Sequence, residues 1–253
     1  MTKNAWTQDD HIYMAEALRL AKRGLYTTDP NPRVGCVLVH DGEIVGRGWH
    51  QKAGSPHAEV NAIKDAGSKV KGSTAYVTLE PCSHFGRTAP CANALIDSGV
   101  LKVVVAAKDP NPQVSGAGLI LLSNAGISVS CGLMFDEARD LNIGFFKRME
   151  KQRPWVRIKM AISVDGRTAM QSGESQWITG PHARSDVQRL RARSSAILTG
   201  IGTLLHDDAA LTVRAEQLGF DPDEIYKSED AVKNQPLKVV LDSKGKMLPN
   251  AKI

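Results

Sequence analysis

Apolar positions change their spacing several times along this chain, and each change marks an element. Met14, Leu18, Ala21 and Leu25 follow one another at helical steps. Before them stands Thr7-Gln8-Asp9-Asp10, an N-cap hydroxyl with an acid three residues on, so a helix is predicted that ends near Gly24. Residues 34–39 form a continuous apolar run, as a buried strand does, and 44–46 return as its hairpin partner after the turn at 40–43. A short helix over 57–66 stops at Gly67, a strand over 74–79 leads into Glu80-Pro81-Cys82, and Pro90 opens a helix over 91–98. A strand at 101–107, a helix at 116–124, a short strand at 127–130 and one amphipathic helix over 133–149 complete the first part. The order is that of an α/β sandwich, not a helical bundle.

A polar, proline-bearing stretch at 150–154 separates a first unit, 1–150, from a second, 151–253. The second is predicted to open with a strand over 155–161 and a turn at 163–166. A basic helix over 182–193 and a strand over 196–199 lead to Gly200-Ile201-Gly202-Thr203, whose backbone N–H groups can approach phosphate. Residues 216–235 read as polar and loop-rich and 237–241 as a last strand.

Composition alters this picture little. Hydrophobic residues make up 42% and charged residues 23%, as in ordinary globular proteins. The N-terminus has no apolar signal core and no apolar run is long enough for a bilayer, so no membrane partner is expected and the cytoplasm is the expected location. The net charge of +5 lies mostly in the second unit, +4 against +1, and the first lacks the basic stripe of a nucleic-acid binder. Of the four cysteines, Cys36 sits in an apolar run and Cys131 ends a β-like stretch, so both read as structural.

The remaining two cysteines carry chemistry. His57-Ala58-Glu59 is followed by Cys82 and Cys91, and one imidazole with two thiolates suits zinc and leaves a fourth position for water. Glu59 stands where it can move a proton without binding metal, as in the zinc deaminases of nucleobases. A purely structural zinc site would need a fourth protein ligand. His84 is the candidate for that, but two residues after Cys82 it is better placed to face a substrate. The spacing between the cysteines is long; C-x-x-C is usual.

NPRVG at 31–35, GRGWHQKAGSPHAEV at 46–60 and TLEPCSHFGRTAPC at 78–91 resemble the deaminase half of the bifunctional riboflavin-biosynthesis deaminase–reductases, the RibD family. KMAISVDGRTA, SGESQWITG and TGIGTLLHDDAALTVR extend the resemblance past the linker. It implies a cytidine-deaminase-like three-layer α/β/α domain followed by a dihydrofolate-reductase-like α/β domain. It also implies two reactions. The first is zinc-dependent hydrolytic deamination of 2,5-diamino-6-(5-phosphoribosylamino)pyrimidin-4(3H)-one to 5-amino-6-(5-phosphoribosylamino)uracil. The second is NADPH-dependent reduction of the ribosyl group to ribityl. His57, Cys82 and Cys91 match the metal ligands and Glu59 the proton-transfer residue. Asn31, His50, His84 and Arg87 match positions lining the deaminase pocket. In the reductase half, Ala161, Trp177, Thr203, Asp207 and Ser243 match the nucleotide site, and Ser175, Arg191, Leu211 and Arg214 the substrate site. The family's reductase half runs further, so this second unit reads as C-terminally incomplete.

Duller readings stand beside these. Asn31-Pro32 is a turn former, Arg87 a solvated loop charge, His50 a ring satisfying backbone, and Arg189, Arg191 and Arg193 an exposed helix face. The alternatives in function are a deaminase of another pyrimidine or a tRNA base with a non-reductase second domain, or a structural zinc protein that binds nucleic acid. The expected partner is a small phosphoribosylated pyrimidine, not nucleic acid, and a homodimer or tetramer is expected.

Overall fold

The computed structural model describes residues 6–83, 90–112, 114–221 and 228–253. Contacts divide the chain into two compact units, Met1–Trp155 and Val156–Ile253.

In the first unit, α1 (Gln8–Lys22) begins with a reciprocal cap: the Thr7 hydroxyl accepts from the Asp10 N–H at 3.1 Å, and Asp10 accepts from the Thr7 N–H at 2.9 Å. Asp10 also accepts the Tyr76 hydroxyl at 2.7 Å, which ties the helix start to the sheet. Then come β1 (Gly35–His40), β2 (Glu43–Trp49), α2 (Ala58–Ala66), β3 (Thr74–Leu79), α3 (Cys91–Asp97), β4 (Lys102–Ala107), α4 (Ala117–Asn124), β5 (Ser128–Cys131), α5 (Phe135–Leu141) and α6 (Ile143–Lys151). The five strands form one sheet in the order β2-β1-β3-β4-β5. β1 runs antiparallel to β2 and β3, whereas β3, β4 and β5 are parallel.

Alternation along the strands divides the core in two. Cys36, Leu38, Val103 and Val105 pack with Ala58 and Ala62 of α2, Leu95 of α3 and Leu122 of α4. Val37, Val39, Val104 and Ala106 pack with Met14 and Leu18 of α1, Ala138 of α5 and Phe146 of α6. Both faces of the strands are buried, which is why they read as continuous apolar runs. Gly48 lets α2 lie directly on β2: a Cβ there would run into the Ala58 carbonyl and the Ala62 N–H.

The helix expected over 133–149 is two helices, broken at Asn142, whose side chain is engaged with Arg33 in place of continuing the helical surface. Cys131 ends β5 at the sheet edge and is exposed rather than a core residue.

The second unit holds α7 (Pro181–Ala192), β6 (Ala196–Gly200), α8 (Ile201–Asp207), α9 (Ser228–Lys233) and β7 (Leu237–Leu241). β6 and β7 pair in parallel, from Ala196 opposite Leu237 to Gly200 opposite Leu241. Two expectations are corrected here, those for residues 155–161 and 216–235. Residues 155–161 form no strand, with Val156 71% and Ile158 83% exposed, because none of the described segments pairs with their backbone. Gly200-Ile201-Gly202-Thr203 leaves β6 directly into the first turn of α8. Within 216–235, α9 forms where loop was expected.

Candidate metal and substrate site

The sequence brings its candidate metal-binding side chains together by three separate local devices. His57 is the N-cap residue of α2, with extended backbone (φ −75°, ψ 169°), so its ring projects from the helix start. Cys91 is the first residue of α3, just after Pro90, whose missing N–H costs nothing at a helix start. Cys82 lies three residues beyond the end of β3. His57 Nδ1 is 3.1 Å from Cys91 Sγ and 3.6 Å from Cys82 Sγ. The backbone N–H of Cys91 donates to Cys82 Sγ at 3.3 Å, a bond that favours a thiolate. All three ligand atoms lie within 4.8 Å of one another. Tetrahedral zinc, with bonds of about 2.3 Å to sulfur and 2.0–2.1 Å to nitrogen, holds such atoms roughly 3.6 Å apart, so the residues fit the ion.

The electrostatics agree with a shared site. Cys82 is held down at about 4, first by its hydrogen bond with Cys91 and then by His57, against the effect of burial. Cys91 is pushed up by the same bond, so a negative charge placed on one thiol disfavours a second until a cation joins them. Glu59, in the first turn of α2, is 3% exposed. Burial raises its carboxyl to about 7, in the range where a carboxylate both accepts and releases protons.

Asn31 and His50 join this cluster from the α1–β1 loop and the end of β2. The His50 and His57 rings meet edge to face, with centroids 5.3 Å apart. His50 is buried, and burial lowers its pKa, so the ring is neutral. Its Nδ1 faces the Pro56 carbonyl at 3.3 Å, which can only accept, so Nδ1 carries the proton. Nε2 is then an acceptor, and Asn31 Nδ2 donates to it at 3.1 Å. This fixes the Asn31 amide with its NH2 group toward His50. His84 and Arg87 lie outside the described residues.

Glu80 and Asn142 were missed in the sequence. Glu80, 4% exposed, accepts the backbone N–H groups of Asp109, Gly116 and Gly118 at 2.9–3.1 Å and so pins the β4–α4 loop beside the Cys82 segment. An acid inside the apolar approach to Pro81-Cys82 was the available signal. For Asn142 it was a lone amide within an otherwise apolar helical pattern.

In the second unit, Arg191, Leu211 and Arg214 fall together. Arg191 Nη1 donates to the Thr212 carbonyl at 3.2 Å, beside buried Leu211. Burial, and then Arg214, lowers the Arg191 pKa. Thr212 stands two residues before Arg214, and guanidinium groups so placed can attract an anion. Thr203 and Asp207 lie on α8, and Ser243 follows β7, so Thr203 and Ser243 both stand just past the paired ends Gly200 and Leu241. Trp177 is 70% exposed, with the Arg184 guanidinium 4.4 Å from its ring centroid. Ala161 is half-buried and Ser175 is exposed. No helix among the described residues is long and apolar enough to cross a membrane.

Comparison with known proteins agrees with both units. Residues 7–107 match the cytidine and deoxycytidylate deaminase zinc-binding region, and residues 154–253 match the RibD C-terminal domain. The chain is 58% identical over 240 residues to the riboflavin biosynthesis protein RibD of Escherichia coli (strain K12), covering 95% of this chain and 65% of that protein. It is 54% identical to the protein of the same description from Haemophilus influenzae, covering 98% and 66%. Among solved structures, Acinetobacter baumannii RibD, form 1, matches with a TM-score of 0.89 and 53% identity, over 97% of this chain and 67% of that one. The Thermotoga maritima diaminohydroxyphosphoribosylaminopyrimidine deaminase/5-amino-6-(5-phosphoribosylamino)uracil reductase matches with a TM-score of 0.82 and 39% identity, over 94% and 64%. The chain thus spans about two thirds of the length of these relatives. Its first unit is a cytidine-deaminase-like fold with a His/Cys/Cys metal site, its second a dihydrofolate-reductase-like RibD C-terminal domain, and the chain belongs to the RibD family.

Proposed function

We propose that the first unit hydrolytically deaminates a phosphoribosylated diaminopyrimidinone in riboflavin biosynthesis, giving the corresponding aminouracil and ammonia. The observation that carries this reading is a carboxyl buried next to a three-ligand metal set: Glu59 at 3% exposure beside His57, Cys82 and Cys91. Zinc, when bound, supplies a Lewis acid that makes hydroxide available near neutral pH. Glu59 takes the proton released from the attacking water, then returns protons to the ring nitrogen and to the departing amine. Water adds its oxygen at the ring carbon and the C–N bond breaks, so the products balance as carbonyl and ammonia. Asn31 binds the pyrimidine edge, held in one orientation by neutral His50. His84 and Arg87 are proposed substrate contacts on the ring and phosphate.

For the second unit we propose NADPH-dependent reduction of the ribosyl group of the deaminated product. Thr203, Asp207, Ser243, Ala161 and Trp177 are assigned to the nucleotide, and Arg191, Arg214, Leu211 and Ser175 to the phosphorylated substrate. The paired arginines are the supporting observation, since guanidinium groups bind phosphate in bidentate fashion. The unpaired cysteines among the described residues suit a reducing cytoplasm, and self-association into a dimer or tetramer is part of the same proposal.

The deciding experiment compares the native chain with Glu59→Gln for ammonia release from the phosphoribosylated diaminopyrimidinone, from cytidine and from tRNA, with zinc measured in parallel. Release from the first substrate alone, lost in Glu59→Gln at unchanged zinc, is the expected result. Normal deamination by Glu59→Gln rejects the mechanism, and preference for cytidine or tRNA rejects the substrate. For the second unit, NADPH titration of these 253 residues should quench tryptophan fluorescence saturably, and a flat titration rejects the nucleotide site in this chain.

A further inference from the structure

We propose that Asn142 is a positioning residue for the deaminase pocket, acting on substrate affinity through the loop that presents Asn31. The inference rests on the reading of Asn31 as a substrate contact. Asn142 is 1% exposed and sits where α5 ends and α6 begins. An asparagine at a helix start ordinarily turns its side chain onto the next turn's N–H groups. This one makes no such cap. Its Oδ1 accepts the backbone N–H of Arg33 at 2.8 Å, and its Nδ2 donates to the Arg33 carbonyl at 2.9 Å. The amide thereby reproduces the double hydrogen bond of an antiparallel ladder pair, with a residue 109 positions away. Nδ2 also reaches the Ala138 carbonyl at 3.4 Å, so both donors of the buried amide are engaged.

A second tie acts on the other side of Asn31. Arg148 of α6 donates to the Pro30 carbonyl at 3.0 Å. The loop closes on itself where the Asn31 N–H donates to the Thr28 carbonyl at 2.7 Å. Residues 30 and 33 are therefore both anchored to one helix pair, and Asn31 lies between the anchors. Among the described residues, the His50 bond is what then sets the direction of its amide. A side chain that has to be pre-oriented for a ligand loses affinity when its backbone loosens, because the ordering must then be achieved on binding.

A purely structural role would also bury Asn142, and a double-mutant cycle separates the two. Asn142→Ala is expected to raise KM for the deaminase substrate about tenfold with kcat changed less than twofold and zinc content unchanged. On an Asn31→Ala background the same substitution should cost less than twofold in kcat/KM, because the group it positions is already gone. Equal losses on the two backgrounds, or a fall in zinc content together with kcat, would overturn the proposal. Asn142→Asp fills the same volume and keeps the acceptor for the Arg33 N–H while losing the donor. It supplies the cycle if the alanine variant does not fold, with the same non-additivity expected and native KM overturning the proposal. If Asn31→Ala itself binds substrate with native KM, the reading of Asn31 fails and this inference with it. A failure confined to the Asn142 variants leaves that reading standing.

Discussion

Replacing Gly48 by alanine tests how closely the fold seats the helix that carries the chemistry. Gly48 lies in β2 directly beneath α2, and an added Cβ would fall well inside 3.0 Å of both the Ala58 carbonyl and the Ala62 N–H. Real Cβ atoms essentially never show such a separation, and the obstructing atoms are backbone, so no side chain can swing aside. Relief requires α2 to move from the sheet by something on the order of 1 Å, and a misplacement of that size can cost about a hundredfold in rate. His57 and Glu59 stand at the start of this helix, so the movement falls on a proposed metal ligand and on the carboxyl proposed to transfer the proton. Overpacking of this kind costs about 1–3 kcal/mol, and ~2 kcal/mol in a protein of this size lowers Tm by roughly 4–8 °C. Gly144→Ala is the matched control. It lies in α6 with no atom nearer than Trp155 Cβ at 3.9 Å, and exchanging glycine for alanine in a helix gains up to about 1 kcal/mol. Thermal unfolding, zinc retention against a chelator and ammonia release should all fall in Gly48→Ala and hold or improve in Gly144→Ala. Native values for all three in Gly48→Ala would refute the argument that close seating of α2 on β2 sets the site.

Glu80→Ala should take the acceptor from three backbone N–H groups, two of them buried, at a cost of about 3–5 kcal/mol in urea unfolding, with Glu80→Gln recovering part of it; a loss below 1 kcal/mol would refute the pinning role. Asp10 bears on acid stability. Burial works to raise its pKa, but the bonds from Thr7 and Tyr76 outweigh burial and hold it below the ordinary aspartate range. A carboxyl depressed by folding contributes stability that is present above its unfolded pKa and lost as pH falls through the folded one. Tm measured against pH should therefore drop below about pH 4 in the native chain and drop less in Asp10→Asn, whose curve should already lie lower at pH 7. Parallel acid limbs for the two proteins would remove Asp10 as a contributor.

Much of the first unit could be read from local pattern because its physics is local. Strands buried on both faces give unbroken apolar runs, and Gly67, Gly99 and Pro90 stop or start helices through backbone constraints that need no partner. Failures came where a distant residue decided the outcome. The helical period continues unbroken through residues 133–149, but Asn142 spends its amide on Arg33, and the helix divides there. Residues 155–161 carry the alternation of a strand, but a ladder needs a second backbone beside it, and alternation says nothing of whether one is present.

For the site, residue types and spacing determined the chemistry on offer: one imidazole, two thiols and a carboxyl in an order that suits zinc and proton transfer. Only the tertiary structure decided that His57, Cys82 and Cys91, drawn from two helix starts and a strand exit, lie within 4.8 Å of one another. It alone decided that Glu59 is buried enough to hold a proton near neutrality, and that the Pro56 carbonyl fixes which nitrogen of His50 faces Asn31. The reason is the same in each case. A side chain's identity is written at its own position, but its solvation and its hydrogen-bond partners come from segments that only folding brings beside it.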